Sequence, residues 1–214
     1  MMDTLPTAYI QHYYDRLGSR YDWFEVYEGH AKERGRALLS LQPGLQLLNI
    51  GVGTGKEHQR FRQALSPGGT AFALDLSTTM LSLTHQRTGA PVCQADARAL
   101  PYSDASFERV YCAYVLDVLP IEAIYLVIAE IQRVLCPQGQ VVLISLTEGT
   151  TSASRALVAL WKASFRLSPA IMGGCRPVHL EPLVIEAGLE IITRNVIIQL
   201  ALPSEVILAR KKQA

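Results

Sequence analysis

The sequence predicts a doubly wound α/β fold, on two observations. Short, uniformly apolar runs alternate with helix-compatible segments from residue 45 to residue 146, the pattern of parallel strands buried on both faces and joined by helical crossovers. The first of these runs, Leu45 to Ile50, stops at three glycines spaced two apart in Gly51-Val52-Gly53-Thr54-Gly55, and a helix-compatible segment follows at once. Alternate glycines remove the Cβ atoms that would hold a ligand off the main chain. The free N–H groups of the helix start favour an anionic group there.

Composition sets the limits. A chain of 214 residues suits one domain, 1–214, able to bury a core of its own. With 49% hydrophobic and 18% charged residues it is globular. Twenty basic against nineteen acidic residues leave +1, so no global pull toward nucleic acid or membrane exists and no nucleic-acid partner is expected. The four cysteines never approach CxxC spacing and read as buried free thiols of a reducing compartment. No apolar run reaches the ~18 residues that span a bilayer, and no basic region followed by an apolar one opens the chain. A cytoplasmic protein is expected.

Residues 1–27 are aromatic, with Tyr9, Tyr13, Tyr14, Tyr21, Trp23, Phe24 and Tyr27. They read as a cap helix packed on the core or as a lid over a bound cofactor or substrate, and a lid must also pack. Glu28 to Leu41 is a helix with Ala31, Ala37, Leu38 and Leu41 inward, ended by Gln42-Pro43-Gly44. Beyond the glycine loop, Glu57 to Leu65 is a helix and Thr70 to Asp75 a strand. Ser77 caps the next helix, with Met80, Leu81 and Leu83 apolar, and Gly89-Ala90-Pro91 breaks it. Val92 to Asp96 and Phe107 to Tyr114 are the third and fourth strands. Ile121 to Leu135 has the clearest helical period, Pro137-Gln138-Gly139 stops it, and Gln140 to Leu146 is the fifth strand.

The C-terminal third breaks the alternation. Ser154 to Leu167 is helical, with Leu157, Leu160, Trp161 and Phe165 on one side and Arg155, Lys162 and Arg166 nearly on the other. That basic stripe is either a solvated face or a contact for an anionic substrate or lipid headgroup, which would bring transient membrane-surface contact. A glycine-rich turn, 172–177, holds Arg176, and His179 to Ala187 is a short helix closed by Gly188. Residues 150–187 read as a substrate-side cap. Leu189 to Ile198 and Glu205 to Arg210 are β-rich runs joined by a short Leu-Pro-Ser turn, which permits only antiparallel pairing.

Two cofactor classes use such a glycine loop. A dinucleotide loop needs G-x-G-x-x-G, but Lys56 or His58 stands where the third glycine belongs. The G-x-G-x-G present suits a ligand lying along the loop. Asp75, ending the second strand, can accept from both ribose hydroxyls; Asp96, ending the third, could take the amino group of an adenine. Loop and carboxylates describe one adenosine laid across the sheet's carboxyl edge.

Asn49-Ile-Gly-Val-Gly-Thr-Gly55, Ala73-Leu-Asp-Leu-Ser77, Ala95-Asp-Ala-Arg-Ala-Leu-Pro101 with Phe107-Glu-Arg-Val110, and Arg133-Val-Leu-Cys-Pro-Gln-Gly139 occur in order. Together they resemble the class I S-adenosylmethionine-dependent methyltransferases over about residues 20–148. The likeness is to the small-molecule branch that includes the ubiquinone/menaquinone-biosynthesis and phospholipid N-methyltransferases. It implies a Rossmann-like sheet of seven strands, mostly parallel with a C-terminal antiparallel hairpin, S-adenosylmethionine as cofactor and S-adenosylhomocysteine as product. By resemblance, Gly51, Gly53 and Gly55 cradle the methionine part, Asp75 and Leu76 lie at the ribose, and Met80 packs on the adenine. Asp96 and Ala97 meet its edge, Cys112 and Ala113 flank the sulfonium, and Tyr21 is a lid tyrosine. The departure is Asn49, where the family carries an acidic residue; an amide accepts a hydrogen bond but cannot neutralise the cofactor's ammonium.

The expected reaction is methyl transfer to a moderately apolar small molecule, at an oxygen, nitrogen or carbon nucleophile. Asp117 and His179 are the candidate bases, against the alternatives of a loop hydrogen-bonder and a surface histidine. Tyr13, Tyr114, Trp161 and Arg176 are expected to line the acceptor pocket. The other histidines form no convergent set with cysteine or carboxylate, so no metal is expected. A non-catalytic protein that binds S-adenosylmethionine is the alternative; an NAD-dependent oxidoreductase is disfavoured by the glycine register.

Overall fold

Strands apolar on both faces can be covered on both, and the central strands of this chain are. The computed structural model describes residues 4–212. The first three residues of the 1–27 segment and the last two of the 1–214 domain lie outside the described residues. At the centre, β1 (Gln46–Ile50) pairs in parallel with β2 (Thr70–Asp75) and with β4 (Phe107–Ala113), setting Asn49 opposite Ala73 and Tyr111. β3 (Val92–Gln94) lies outside β2, and β5 (Leu135–Leu146) outside β4. The hairpin of β6 (Leu189–Gln199) and β7 (Leu202–Lys211) completes a seven-stranded sheet of order β3-β2-β1-β4-β5-β7-β6, with β7 antiparallel to both neighbours. The mostly parallel sheet with an antiparallel C-terminal hairpin is the predicted architecture.

Neighbouring residues on each strand face opposite layers. Leu48, Cys112, Leu143 and Ile207 meet α5 (Ile121–Val134) and α7 (Leu180–Glu186). Leu47, Tyr111, Val142 and Leu208 meet α2 (Glu25–Leu39) and α3 (Lys56–Leu65) on the other side. The strand order reverses between β1 and β4, and at such a switch point the carboxyl ends of the strands leave a crevice for ligands. Three further helices border it: α1 (Thr7–Leu17), α4 (Thr78–Thr88) and α6 (Ser152–Leu167). Ser77 Oγ caps α4 by accepting the Met80 N–H at 3.1 Å, as its position predicts.

Several boundaries differ from the sequence reading, each for a physical reason. β3 ends at Gln94, so Asp96 stands in the loop beyond. β5 starts at Leu135, because Leu135 already pairs with Phe107 and a register shift absorbs Pro137-Gln138-Gly139. The hairpin turn is Leu200-Ala201, both left-handed at φ 49° and 65°, while Leu202-Pro203-Ser204 belongs to β7. Two left-handed residues match the twist of the flanking strands. Helix α2 starts at Glu25 and buries Glu28, Ala31, Lys32, Gly35 and Leu39, leaving Ala37 exposed. Its inner face carries an ion pair, Lys32 Nζ to Glu28 Oε2 at 2.6 Å, and apolar periodicity cannot see a buried stripe written in charges.

Candidate active site

Two cavities meet beneath the aromatic N-terminal segment. The first, with about 840 Å³ of empty space, lies over the carboxyl ends of β1, β2 and β4, within the size range of cofactor sites. Its floor is the glycine loop. Gly51 stands at φ 66°, and a Cβ there would come within 2.2 Å of Val115 Cγ2, so no other residue fits. The Gly53 N–H donates to Asp75 Oδ2 and the Ser77 N–H to Asp75 Oδ1, each at 2.9 Å. Burial raises the Asp75 carboxyl, opposed by these backbone donors. Each oxygen keeps a lone pair for a further donor.

Along the cavity wall stand Leu76, Asp96 and Ala97 from beyond the β2 and β3 ends, Met80 from α4, and Ala113 from β4. Arg98 holds the Asp96 carboxylate with its Nε 2.9 Å from Oδ1, and its Nη2 also donates to Oδ2, which lowers the Asp96 pKa. Any adenine amino group must therefore share that carboxylate with a guanidinium. Three residues of the expected set stand behind the wall. Gly55 is the left-handed N-cap of α3, and a Cβ on it would meet Thr84 Cα at 2.9 Å, so it serves close helix packing. Cys112 lies in the opposite core layer, where burial pushes its thiol far up. Asn49 is 2% exposed and its Nδ2 has no partner among the described residues.

The aromatic N-terminal segment is tied to the glycine loop and to the turn after β2 by two carboxylates that sequence reasoning missed. Asp22 accepts from Thr54 Oγ1 at 2.5 Å and from Arg87 Nη2 at 2.9 Å, and Asp15 accepts from Ser77 Oγ at 2.5 Å. The only signal was the placing of Asp22 directly after Tyr21.

The second cavity, with about 1060 Å³ of empty space, is aromatic. Tyr13 and Trp161 line it with Phe24, Tyr27, Leu157 and Leu200, while Tyr14, Tyr21 and Tyr114 line both cavities. Glu28 is the one carboxylate lining it among the described residues. The Tyr21 hydroxyl donates to Glu28 Oε2 at 3.1 Å, on the same oxygen as Lys32. Lys32 Nζ also sits 5.3 Å from the Tyr21 ring centroid and 5.7 Å from that of Tyr114. Burial raises the Glu28 carboxyl, with Lys32 opposing.

The remaining expected residues lie in neither cavity. Arg176 is 7% exposed, donates from Nη2 to the Leu119 carbonyl at 2.5 Å, and gives its own N–H to the Asp117 carbonyl. Asp117 is fully buried, accepts the Leu146 N–H on Oδ2 at 3.2 Å, and burial pushes it up to about 7. Its neighbours stitch the wall together, since Trp161 Nε1 donates to the Cys175 carbonyl at 2.9 Å and Cys175 Sγ lies 3.7 Å from the Tyr14 hydroxyl. The turn holding Arg176 thus braces the aromatic wall from outside. His179 is half exposed, in a set with Glu181 and Glu205 whose ligand atoms lie within 4.8 Å of one another. The Arg194 guanidinium fills that set, with Nε 2.5 Å from Glu205 and 3.2 Å from Glu181.

The donors fit an S-adenosyl group. Backbone approach at the loop, a clamped carboxylate with free lone pairs and an apolar wall at Met80 supply contacts for sugar, base and amino-acid chain. Residues 48–143 match the family model of a methyltransferase domain. A malonyl-[acyl-carrier protein] O-methyltransferase of Erwinia pyrifoliae is 36% identical over 137 residues, 63% of this chain and 49% of that one. A demethylmenaquinone methyltransferase of Staphylococcus aureus is 29% identical over 155 residues, 69% of this chain and 61% of its own. The chain thus spans about half of the first relative's length and about three fifths of the second's. In fold it is similar to the Burkholderia thailandensis 1,6-didemethyltoxoflavin-N1-methyltransferase, solved with its substrate and S-adenosylhomocysteine. The TM-score there is 0.71 at 17% identity, covering 96% of this chain and 88% of that one. Sheet, loop and domain match together make the chain similar to the class I S-adenosylmethionine-dependent methyltransferases, with S-adenosylmethionine as the cofactor its donors fit.

Proposed function

We propose that the protein transfers a methyl group from S-adenosylmethionine to a moderately apolar small molecule held in the aromatic cavity. One observation carries this reading: Tyr14, Tyr21 and Tyr114 form a wall common to both cavities, so a ligand in one reaches a ligand in the other across those three rings. The cofactor supplies a sulfonium methyl group open to in-line displacement. Asp75 takes the ribose hydroxyls, Leu76 and Met80 cover the adenine, and Ala97 with Asp96 meets its edge. Gly51 and Gly53 offer main chain to the methionine part, while Asn49, Gly55 and Cys112 shape the loop from behind.

On the acceptor side, Tyr13 and Trp161 pack against the substrate, and the shared tyrosines align it and exclude water. Glu28 has Oε1 left over from its bonds to Tyr21 and Lys32, and it offers that oxygen to an O–H or N–H of the acceptor. This role replaces those first given to Asp117 and His179; in our reading Asp117 and Arg176 position the wall and His179 belongs to a surface ion cluster. Residues 1–27 act as the lid and 150–187 as the acceptor-side cap of one domain, 1–214. Among the described residues no helix is long and apolar enough to cross a membrane, and four free cysteines fit the cytoplasm.

The activities of the two relatives support an acceptor presented on a carrier or as a quinone-like compound, and the +1 net charge gives no support to a nucleic-acid substrate. A metabolite panel with labelled S-adenosylmethionine tests the proposal, and turnover confined to proteins or nucleic acids would overturn it. Calorimetry with S-adenosylhomocysteine and with NAD separates it from an oxidoreductase.

A further inference from the structure

Helix α6 shows the solvent a face that its fold does not use. Val158 and Phe165 are buried against the sheet, and Leu157 and Trp161 line the aromatic cavity. At helical spacing, Ala153, Ala156, Leu160, Ala163 and Leu167 form one outward stripe, and all are exposed. Leu160 is 65% and Leu167 85% exposed, and Ile171, in the turn that continues the helix, is 62% exposed. The sequence reading put Leu160 inside; it lies on the outer stripe instead. One flank of this stripe adjoins Leu157, on the cavity side. The other adjoins Arg166, Arg155 and Lys162, and the helix contains no acidic residue. Lys162 pairs with Glu148, while Arg155 and Arg166 face no carboxylate within ion-pair distance among the described residues.

The same kind of surface rims the cavity mouth. Phe24, Tyr27 and Leu200 line the cavity and are 36%, 41% and 64% exposed, and Trp23 beside them is 76% exposed. Arg20 lies three residues before Trp23 in a 3-10 turn, where side chains three apart eclipse, and it too is exposed. The Gln199 side chain holds the hairpin tip against α2 by accepting the His30 N–H and donating to the Val26 carbonyl, each at 2.8 Å. Two stretches of exposed apolar side chain thus approach one opening, each bordered by an arginine with no carboxylate partner among the described residues.

We propose that α6 and the Trp23–Leu200 rim dock in the plane of an anionic lipid surface, with the aromatic cavity opening into it. A helix with an outward apolar stripe and basic flanks is built for that interface, where apolar side chains enter the acyl boundary and arginines reach the headgroups. A watery protein surface gives no reason to keep Leu160, Leu167, Ile171, Trp23 and Leu200 outside together. Charge selects the occupant: arginine without a carboxylate partner suits anionic headgroups. The further step, an apolar acceptor entering from the lipid side, rests on reading the second cavity as the acceptor's.

The test is cosedimentation of the full chain with vesicles of phosphatidylcholine alone and of phosphatidylcholine mixed with phosphatidylglycerol, without acceptor. Binding to the anionic vesicles should exceed that to neutral ones by about tenfold at low salt and fall as salt rises. Leu160→Glu with Leu167→Glu should abolish it, and Arg155→Gln with Arg166→Gln should remove the preference for anionic lipid. Both variants should melt with the parent and bind S-adenosylhomocysteine as it does, which keeps a docking failure distinct from loss of fold or of the cofactor site. No binding of the parent, or binding untouched by the glutamates, overturns the proposal. A dimer dissolved by the same glutamates would overturn it too, assigning the stripe to a second copy of the chain.

Discussion

The two cavities are built from opposite kinds of sequence. The first has its floor at strand ends, each giving a lining residue within a few positions of the strand itself: the glycines after β1, Asp75 at the end of β2, Ala113 at the end of β4. The second comes mainly from α1, the 3-10 turn after it, α2, α6 and the tip of the β6–β7 hairpin, residues between 13 and 202. The first is polar at its floor and clamped by main chain. The second is a cage of rings with one carboxylate, held by side-chain bonds between segments far apart. Local geometry makes one, tertiary packing the other.

Buried titratable groups outside both cavities show a contrast of their own, and the largest expected effect concerns Asp117. Its folded pKa of about 7 stands above the ordinary carboxylate value near 4. As pH rises from about 4 to 7 the unfolded chain loses this proton first, so the folded state binds more protons and stability falls with pH across that window. The cost of ionisation is on the order of 4 kcal/mol once pH passes 7. Asp117→Asn keeps an acceptor for the Leu146 N–H and cannot ionise. Urea unfolding should find it more stable than the parent at pH 8 and close to the parent at pH 4. A stability gain equal at both values would mean that the carboxyl is not titrating there.

For a second buried group the sign reverses. His58, in the first turn of α3, is fully buried with both ring nitrogens unpartnered among the described residues, and burial with Arg62 nearby lowers it to about 4. Between pH 4 and 6.5 the unfolded chain binds the extra proton, so stability rises with pH there, by about 3 kcal/mol in all. His58→Leu should flatten that rise while leaving the Asp117 effect in place. The two substitutions should therefore tilt the pH–stability curve in opposite directions, and a shared direction would break the contrast between the two buried groups.

The contrast between the cavities explains what the sequence could tell. Glycines at alternate positions and carboxylates at strand ends are short-range features whose meaning follows from strand geometry, so the fold and most of the floor of the first cavity were legible. Glu28 was not. It sits on a helix face that pattern reading assigns to solvent, and it is inside because Lys32 and Tyr21 reach it, a contact spanning a 3-10 turn and a helix. Arg176 and His179 misled for the converse reason: an arginine in a glycine-rich turn and a histidine beside it resemble a ligand site, yet three-dimensional neighbours (the Leu119 carbonyl for one, Arg194 for the other) already use them. Asn49 marks the border between the cases. Its position in β1 was readable, but strand alternation turns its side chain with Leu47 toward α3 and away from the cavity.

A substitution at the clamp should separate the cavities by ligand. Asp75→Ala removes the acceptor for the Gly53 and Ser77 N–H groups as well as for a ribose. Calorimetry should show S-adenosylhomocysteine binding weakened by about 1–3 kcal/mol, the range for a lost charged hydrogen bond. Unchanged affinity would refute the ribose role, and the aromatic cavity should be untouched either way.

The smallest expected effect tests the acceptor wall alone. Trp161→Phe keeps a ring in the cavity and removes only the Nε1–H bond to the Cys175 carbonyl. The loss should be about 1 kcal/mol of stability, seen as a small fall in the urea midpoint. Because Cys175 lies against the Tyr14 hydroxyl, loosening its carbonyl should let the shared tyrosine wall shift on its acceptor side. S-adenosylhomocysteine affinity should hold, since Asp75 and the glycine loop are fixed by their own main chain. If its affinity fell with stability, the two cavities would share one mechanical unit, and the separation between local and tertiary construction would end at the tyrosines rather than beyond them.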